Sequence, residues 1–180
     1  MRLSRSLIIT FFILFVSAQA VPNVAAQQAP GKPVMHEDCP MMKDVKLADM
    51  NKRGDQAMGF SLARTTHHFL LNESGGQIKV EANDAADLLS RDQIRGHLKH
   101  IAAMFADGNF SIPSTVHNGP PPGSGEMQRL KDKLLFQYEE TARGGIVYIK
   151  SNDPRAIAAV HTFLRFQVTE HRTGDPLEVH

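Results

Sequence analysis

Shifted against itself by 69 residues, the chain lays Gly76-Gln-Ile-Lys-Val80-Glu-Ala-Asn-Asp84 over Gly145-Ile-Val-Tyr-Ile149-Lys-Ser-Asn-Asp153. An internal repeat of this kind is one supersecondary unit used twice, which narrows the fold more than any composition does. In both copies a Gly-Gly pair, Gly75-Gly76 and Gly144-Gly145, stands between two β-rich, partly alternating segments. That pattern predicts a hairpin in each copy, with upstream strands over residues 68–72 and 134–140.

Each copy then reaches Asn-Asp, a pair whose side-chain oxygens can accept from the unpaired N–H groups of a first helical turn. In the first copy Ile94, Leu98, Ile101 and Phe105 recur at helical spacing, with Gly108 as the stop. In the second the stripe is Ile157, Val160, Leu164 and Val168, with Pro154 in the first turn and Gly174 as the stop. The prediction is an α+β domain: a duplicated ββα unit forming a four-stranded antiparallel sheet with two helices on one face. Repeat one spans 67–110 and repeat two 134–176. Between them, 111–125 holds Pro113, Pro120-Pro121-Pro122 and several glycines, and reads as a loop.

Residues 1–20 have the layout of a secretory signal peptide: Arg2 and Arg5, an apolar run from Leu7 to Val16, and small residues ending Ala18-Gln19-Ala20. The apolar run is too short to span a bilayer, which needs roughly 20 residues. No stable membrane span is expected after cleavage. The mature chain would keep 18 basic and 19 acidic residues, a formal charge of −1, which argues against a nucleic-acid partner. Residues 21–54 read as a flexible exported tail, and 55–180 as a single domain. One cysteine, Cys39, leaves no internal disulfide, so stability must come from a packed core.

The segment Arg53-Gly-Asp-Gln-Ala-Met-Gly-Phe60, followed by Thr65-Thr-His-His-Phe69, Arg91-Asp-Gln-Ile-Arg95, Phe163-Leu-Arg-Phe166 and His171-Arg-Thr-Gly-Asp175, resembles a group of uncharacterised bacterial exported proteins. The resemblance covers most of 53–176. It implies a bacterial, periplasmic or secreted location and assigns no catalytic residue.

Nine histidines are the strongest chemical signal. His97, His100 and Met104 sit at i, i+3 and i+7, one strip of a helix beside its apolar stripe. Imidazole and thioether together suit copper better than magnesium or calcium. His67 and His68 open the first strand, where successive side chains point to opposite faces, so one of them faces the helices. His67 or His68 with His97, His100 and Met104 is the expected domain metal site. The bland alternative is a set of solvated or capping histidines and a packing methionine. His161 and His171, near the second helical stripe, read as structural residues.

A second cluster, His36, Cys39, Met41 and Met42, concentrates imidazole, thiol and thioether in the tail, donors suited to Cu(I). Its alternatives are an incidental spacer and Cys39 in an intermolecular disulfide. No nucleophile elbow, phosphate loop or dinucleotide fingerprint is present, so an enzyme is not favoured. The sequence therefore points to an exported metal-handling protein with copper as the expected ligand. The alternatives are an interaction module that homodimerises through the open sheet face, and a small-molecule enzyme of unassigned class.

Overall fold

The computed structural model describes residues 40–180. The expected signal peptide at 1–20, His36 and Cys39 lie outside the described residues. Two hairpins, each followed by a helix, form the body: β1 (Thr65–Asn72), β2 (Gly75–Ala82) and α2 (Leu88–Ala106), then β3 (Leu135–Glu140), β4 (Gly144–Lys150) and α5 (Pro154–His171). The sheet is antiparallel with strand order β1-β2-β4-β3, so the second strand of each hairpin lies at the centre. Ile78 and Val147, related by the 69-residue offset, are direct partners across β2 and β4.

Alternation decides which face is covered. Phe69, Leu71, Ile78, Val80, Val147 and Ile149 point to one side and are buried against both helices. From α2 come Ile94, Leu98, Ile101 and Phe105; from α5 come Val160, Phe163, Leu164 and Val168. Asp153, from the second Asn-Asp pair, caps α5 by accepting from Arg155 N at 2.8 Å, whereas α2 starts beyond the first pair, Asn83-Asp84, and is capped by Asp87, which accepts from Ser90 N at 3.1 Å. The other sheet face carries Leu70, Lys79, Glu81, Ile146, Tyr148 and Lys150, all half-buried or exposed, and no described element covers it.

Four further expectations need correction. The Gly-Gly pairs are not the turns: the first hairpin turns at Glu73-Ser74, where Asn72 Oδ1 accepts from Ser74 N, and Gly75 and Gly76 already belong to β2. A Cβ on Gly76 would collide with Leu164 and the Leu70 carbonyl, so glycine serves close packing there. The stretch 111–125 is not one loop. It contains α3 (Ser111–His117) and opens α4 (Ser124–Arg129), with Pro113 tolerated in a first turn that needs no N–H from it. In α5, Ile157 is only half-buried and the helix ends before Gly174, at Arg172 in the left-handed region (φ 51°).

The fourth concerns the tail. Residues 40–54 form most of a helix, α1 (Pro40–Met58), which buries little besides Met50 and Gly54. It is held by tertiary bonds rather than by an apolar stripe: Arg53 Nε donates to the Val116 carbonyl at 2.9 Å, and Arg172 pairs with Asp44 at 2.7 Å. At the other end of the chain, Asp175 docks on the open edge of β1, accepting from Phe69 N at 2.9 Å.

Candidate functional site

Where α1, α2, α3 and α5 meet the covered face of β1 and β2, they line a half-open cavity of about 70 Å³. Its wall is almost wholly apolar, with Phe69, Ile101, Phe105 and Val116 among the contributors, and it contains no Asp, Glu, Lys or Arg. The polar groups that reach it are four histidines, each from a different element, and Gln167. His67 comes from β1, His97 from α2, His117 from the last residue of α3 and His171 from the last residue of α5.

The rings are close. His117 and His171 have centroids 5.1 Å apart at 81°, and His67 and His171 are 6.3 Å apart and nearly parallel at 5°. Phe60 lies between His67 and His97, at 6.0 and 5.5 Å. Burial makes these imidazoles poor bases. It pulls His67 down to about 4, helped by the neighbouring His97 and His68. His97 is lowered to about 4 by burial and then by His100. His171 is lowered to about 3 by burial and then by His117 and His67. His117 is lowered as well, chiefly by burial, while its bond to Gln167 and the charge of Glu170 pull the other way.

At neutral pH the cavity is therefore lined by neutral imidazoles. Several of their atoms have nothing to bond. Among the described residues five buried side-chain polar atoms lack a hydrogen-bond partner, and three of them are here: His67 Nε2, His117 Nδ1 and Gln167 Nε2. An unpartnered buried polar atom costs about 1–3 kcal/mol, so three around one cavity mark a place where something else can bond. His117 is the best defined. Its Nε2 donates to Gln167 Oε1 at 3.0 Å, which leaves Nδ1 of the neutral ring as a bare lone pair.

The expected metal set separates. His67 and His97 line the cavity, but His68 lies on the opposite face of β1, where its Nδ1 donates to Asp175 Oδ1 at 2.8 Å. His100 is exposed, and Met104 packs half-buried against the core, outside the cavity wall. Of the strip, only His97 reaches the cavity: three residues on, His100 has turned to solvent, and Met104 meets the core elsewhere. In the tail cluster, Met41 is exposed and Met42 half-buried in the first turn of α1. Among the described residues no three His, Cys, Asp or Glu side chains stand, as oriented, so that they hold one ion together. His161 is structural, donating to the Asn72 carbonyl at 2.9 Å.

His117, His171, Gln167 and Met58 escaped the sequence reading as site residues. His171 could have been found, since it falls on the α5 stripe. Nothing in the sequence links His117 or Met58 to the others, because only the docking of α1 and α3 brings them together.

Comparison of the chain with family models, with curated proteins and with solved structures finds no match.

Proposed function

We propose that the cavity is a metal-binding site in which His67, His117 and His171 ligate one transition-metal ion, with His97 beside them, and that the chain is an exported metal-handling protein. The observation that carries this reading is the His117–Gln167 pair. A ligating histidine usually donates its second ring N–H to a fixed acceptor, which orients the ring and leaves the other nitrogen for the metal. His117 has that arrangement, with Nδ1 buried and unpartnered.

Two further features support it. Ligands must be neutral imidazoles, and burial holds these rings in that form. Two imidazoles that share an ion at about 2.0–2.1 Å from each nitrogen place their ring centroids roughly 5–6 Å apart. His117 and His171, at 5.1 Å, fall in that range, and His67 and His171, at 6.3 Å, stand a little beyond it and would have to close in on the ion. Bringing the donor nitrogens onto one point requires turning the rings about their last torsion, which for histidine is broad and soft. The export reading rests on the sequence of residues 1–20 and on the resemblance described above.

The test is elemental analysis and metal titration of the chain purified without a tag. About one ion per chain is expected. The double variant His117→Ala, His171→Ala should lose it while the far-UV circular dichroism is retained. Absence of any affinity tighter than micromolar would overturn the reading. A second reading, a small neutral ligand with one hydrogen-bonding edge, is favoured by the apolar wall. It predicts stabilisation of the metal-free protein by small heterocycles and no response to metal. Homodimerisation through the uncovered sheet face is less favoured, because a second copy there would have to bury Lys79, Glu81 and Lys150.

A further inference from the structure

We infer, resting on the metal reading above, that the ion is monovalent copper, Cu(I), and that Met58 supplies it with a thioether donor. Charge favours a monocation here. No Asp, Glu or cysteine thiolate lines the cavity, and the wall is apolar. An ion held there by imidazoles alone keeps its whole charge in a medium of low polarity. The cost of transferring an ion out of water rises with the square of its charge, so a dication costs about four times as much as a monocation of the same size. Zn(II) and Cu(II) sites commonly gain a carboxylate, a thiolate or bound water against that cost. This cavity offers neutral donors, which is the environment a d¹⁰ monocation tolerates. The nearest charges acting on His117, those of Glu170 and Arg53, oppose each other.

Donor softness points the same way. Met58 stands on the cavity wall from the last turn of α1, half-buried and packed against the core. Thioether sulfur is a favoured ligand of Cu(I) and a poor one for Zn(II). The Met58 side chain folds back beside Gly54. A Cβ on Gly54, one turn earlier, would come within 3.2 Å of the Met58 methyl and 2.8 Å of Leu62 Cδ1, so glycine makes room for both. The end of α1 is pinned by Asp55, which accepts from Leu62 N at 2.7 Å through its side chain and from Gly59 N at 3.1 Å through its carbonyl. Met58 thus lines the same cavity as the histidines from a pinned helix end.

The experiment is an anaerobic titration of the untagged chain with Cu(I) against a competing chelator, and with Zn(II) in parallel, for the unaltered protein and for Met58→Leu. Leucine keeps the apolar volume and removes the sulfur. The unaltered protein should prefer Cu(I) over Zn(II) by at least about 100-fold. Met58→Leu should lose about tenfold or more in Cu(I) affinity while its Zn(II) affinity moves by less than about twofold. Copper-edge X-ray absorption should show a sulfur scatterer that disappears in the variant. Equal affinity for the two ions, an unchanged Cu(I) affinity in Met58→Leu, or a copper shell of nitrogen alone would overturn the inference and leave the histidine site standing. Failure to bind either ion would overturn the site itself.

Discussion

His117 and Gln167 meet at 3.0 Å, Nε2 to Oε1, and so join α3 to the inner face of α5. Gln167 is buried at a position of the α5 stripe that would ordinarily be apolar. An amide there is costly unless it serves something, and what it serves is the orientation of the His117 ring. Gln167→Leu should therefore weaken metal binding by about 10–100-fold, as loss of an orienting partner does elsewhere. It should also lower stability by about 1–3 kcal/mol, because His117 Nε2 would be left buried without a partner. Titration and urea denaturation of the same preparation check both. An unchanged metal affinity would show that the amide is only filling space.

The buried histidines make stability depend on pH in a defined direction. In the unfolded chain each titrates near 6.5, whereas in the fold His67 and His97 resist protonation until about 4 and His171 until about 3. Above 6.5 both states are neutral and the fold has its full stability. As pH falls below 6.5 the unfolded chain takes up protons that the fold refuses, so stability is lost progressively down to about 4 for His67 and His97 and about 3 for His171. The melting temperature of the metal-free protein should be level from about pH 8 to 7 and drop by at least about 10 °C by pH 4.5. His171→Phe keeps a ring in place and should flatten the slope. A profile that stays level through that range would mean the rings are solvated in solution.

What the sequence disclosed was what strand and helix periodicity encode. The offset of 69 sets Ile78 over Val147, and the two are cross-strand partners at the centre of the sheet. The apolar stripes of α2 and α5 were legible because both helices pack lengthwise on a sheet. Helix α1 was not, since it buries only Met50 and Gly54 and is fixed by single bonds such as Arg53 to Val116. The site followed the same division. Strand alternation required one of His67 and His68 to face the helices, and it is His67. His117 and His171 are 54 positions apart and meet only through the packing of α3 on the rest of the domain, which no local spacing records.

Asp175 closes the edge of β1. Its carboxylate, 7% exposed, accepts from Phe69 N at 2.9 Å, His68 Nδ1 at 2.8 Å and Thr173 Oγ1 at 2.7 Å. Covering an edge strand removes a template for unwanted pairing. Asp175→Ala should cost about 1–3 kcal/mol, since Phe69 N loses its acceptor. Hydrogen exchange at the Phe69 amide should accelerate first. His68→Ala, which removes a half-exposed donor and leaves the Phe69 bond in place, should cost less. Equal losses in the two variants would place the energy in the His68–Asp175 pair instead.

Two glycines should respond to alanine with opposite signs. Gly96 lies on the exposed face of α2 with nothing within 4 Å of where a Cβ would stand. Alanine there removes conformational freedom from the unfolded chain at no steric cost, so Gly96→Ala should stabilise by about 0.5–1 kcal/mol. Gly144 opens β4 opposite Glu81, and a Cβ on it would run into the Val80 carbonyl, which is backbone and cannot swing aside. Arg95 adds to the constraint, donating to the Gly144 carbonyl at 3.2 Å and to the Thr141 carbonyl at 2.7 Å, so the strand cannot shift without breaking the tie to α2. Gly144→Ala should cost at least about 3 kcal/mol and reduce soluble yield. Denaturation midpoints of the two variants decide the matter. A tolerated Gly144→Ala would mean that β2 and β4 can separate at this end, and that the tight register there does not hold in solution.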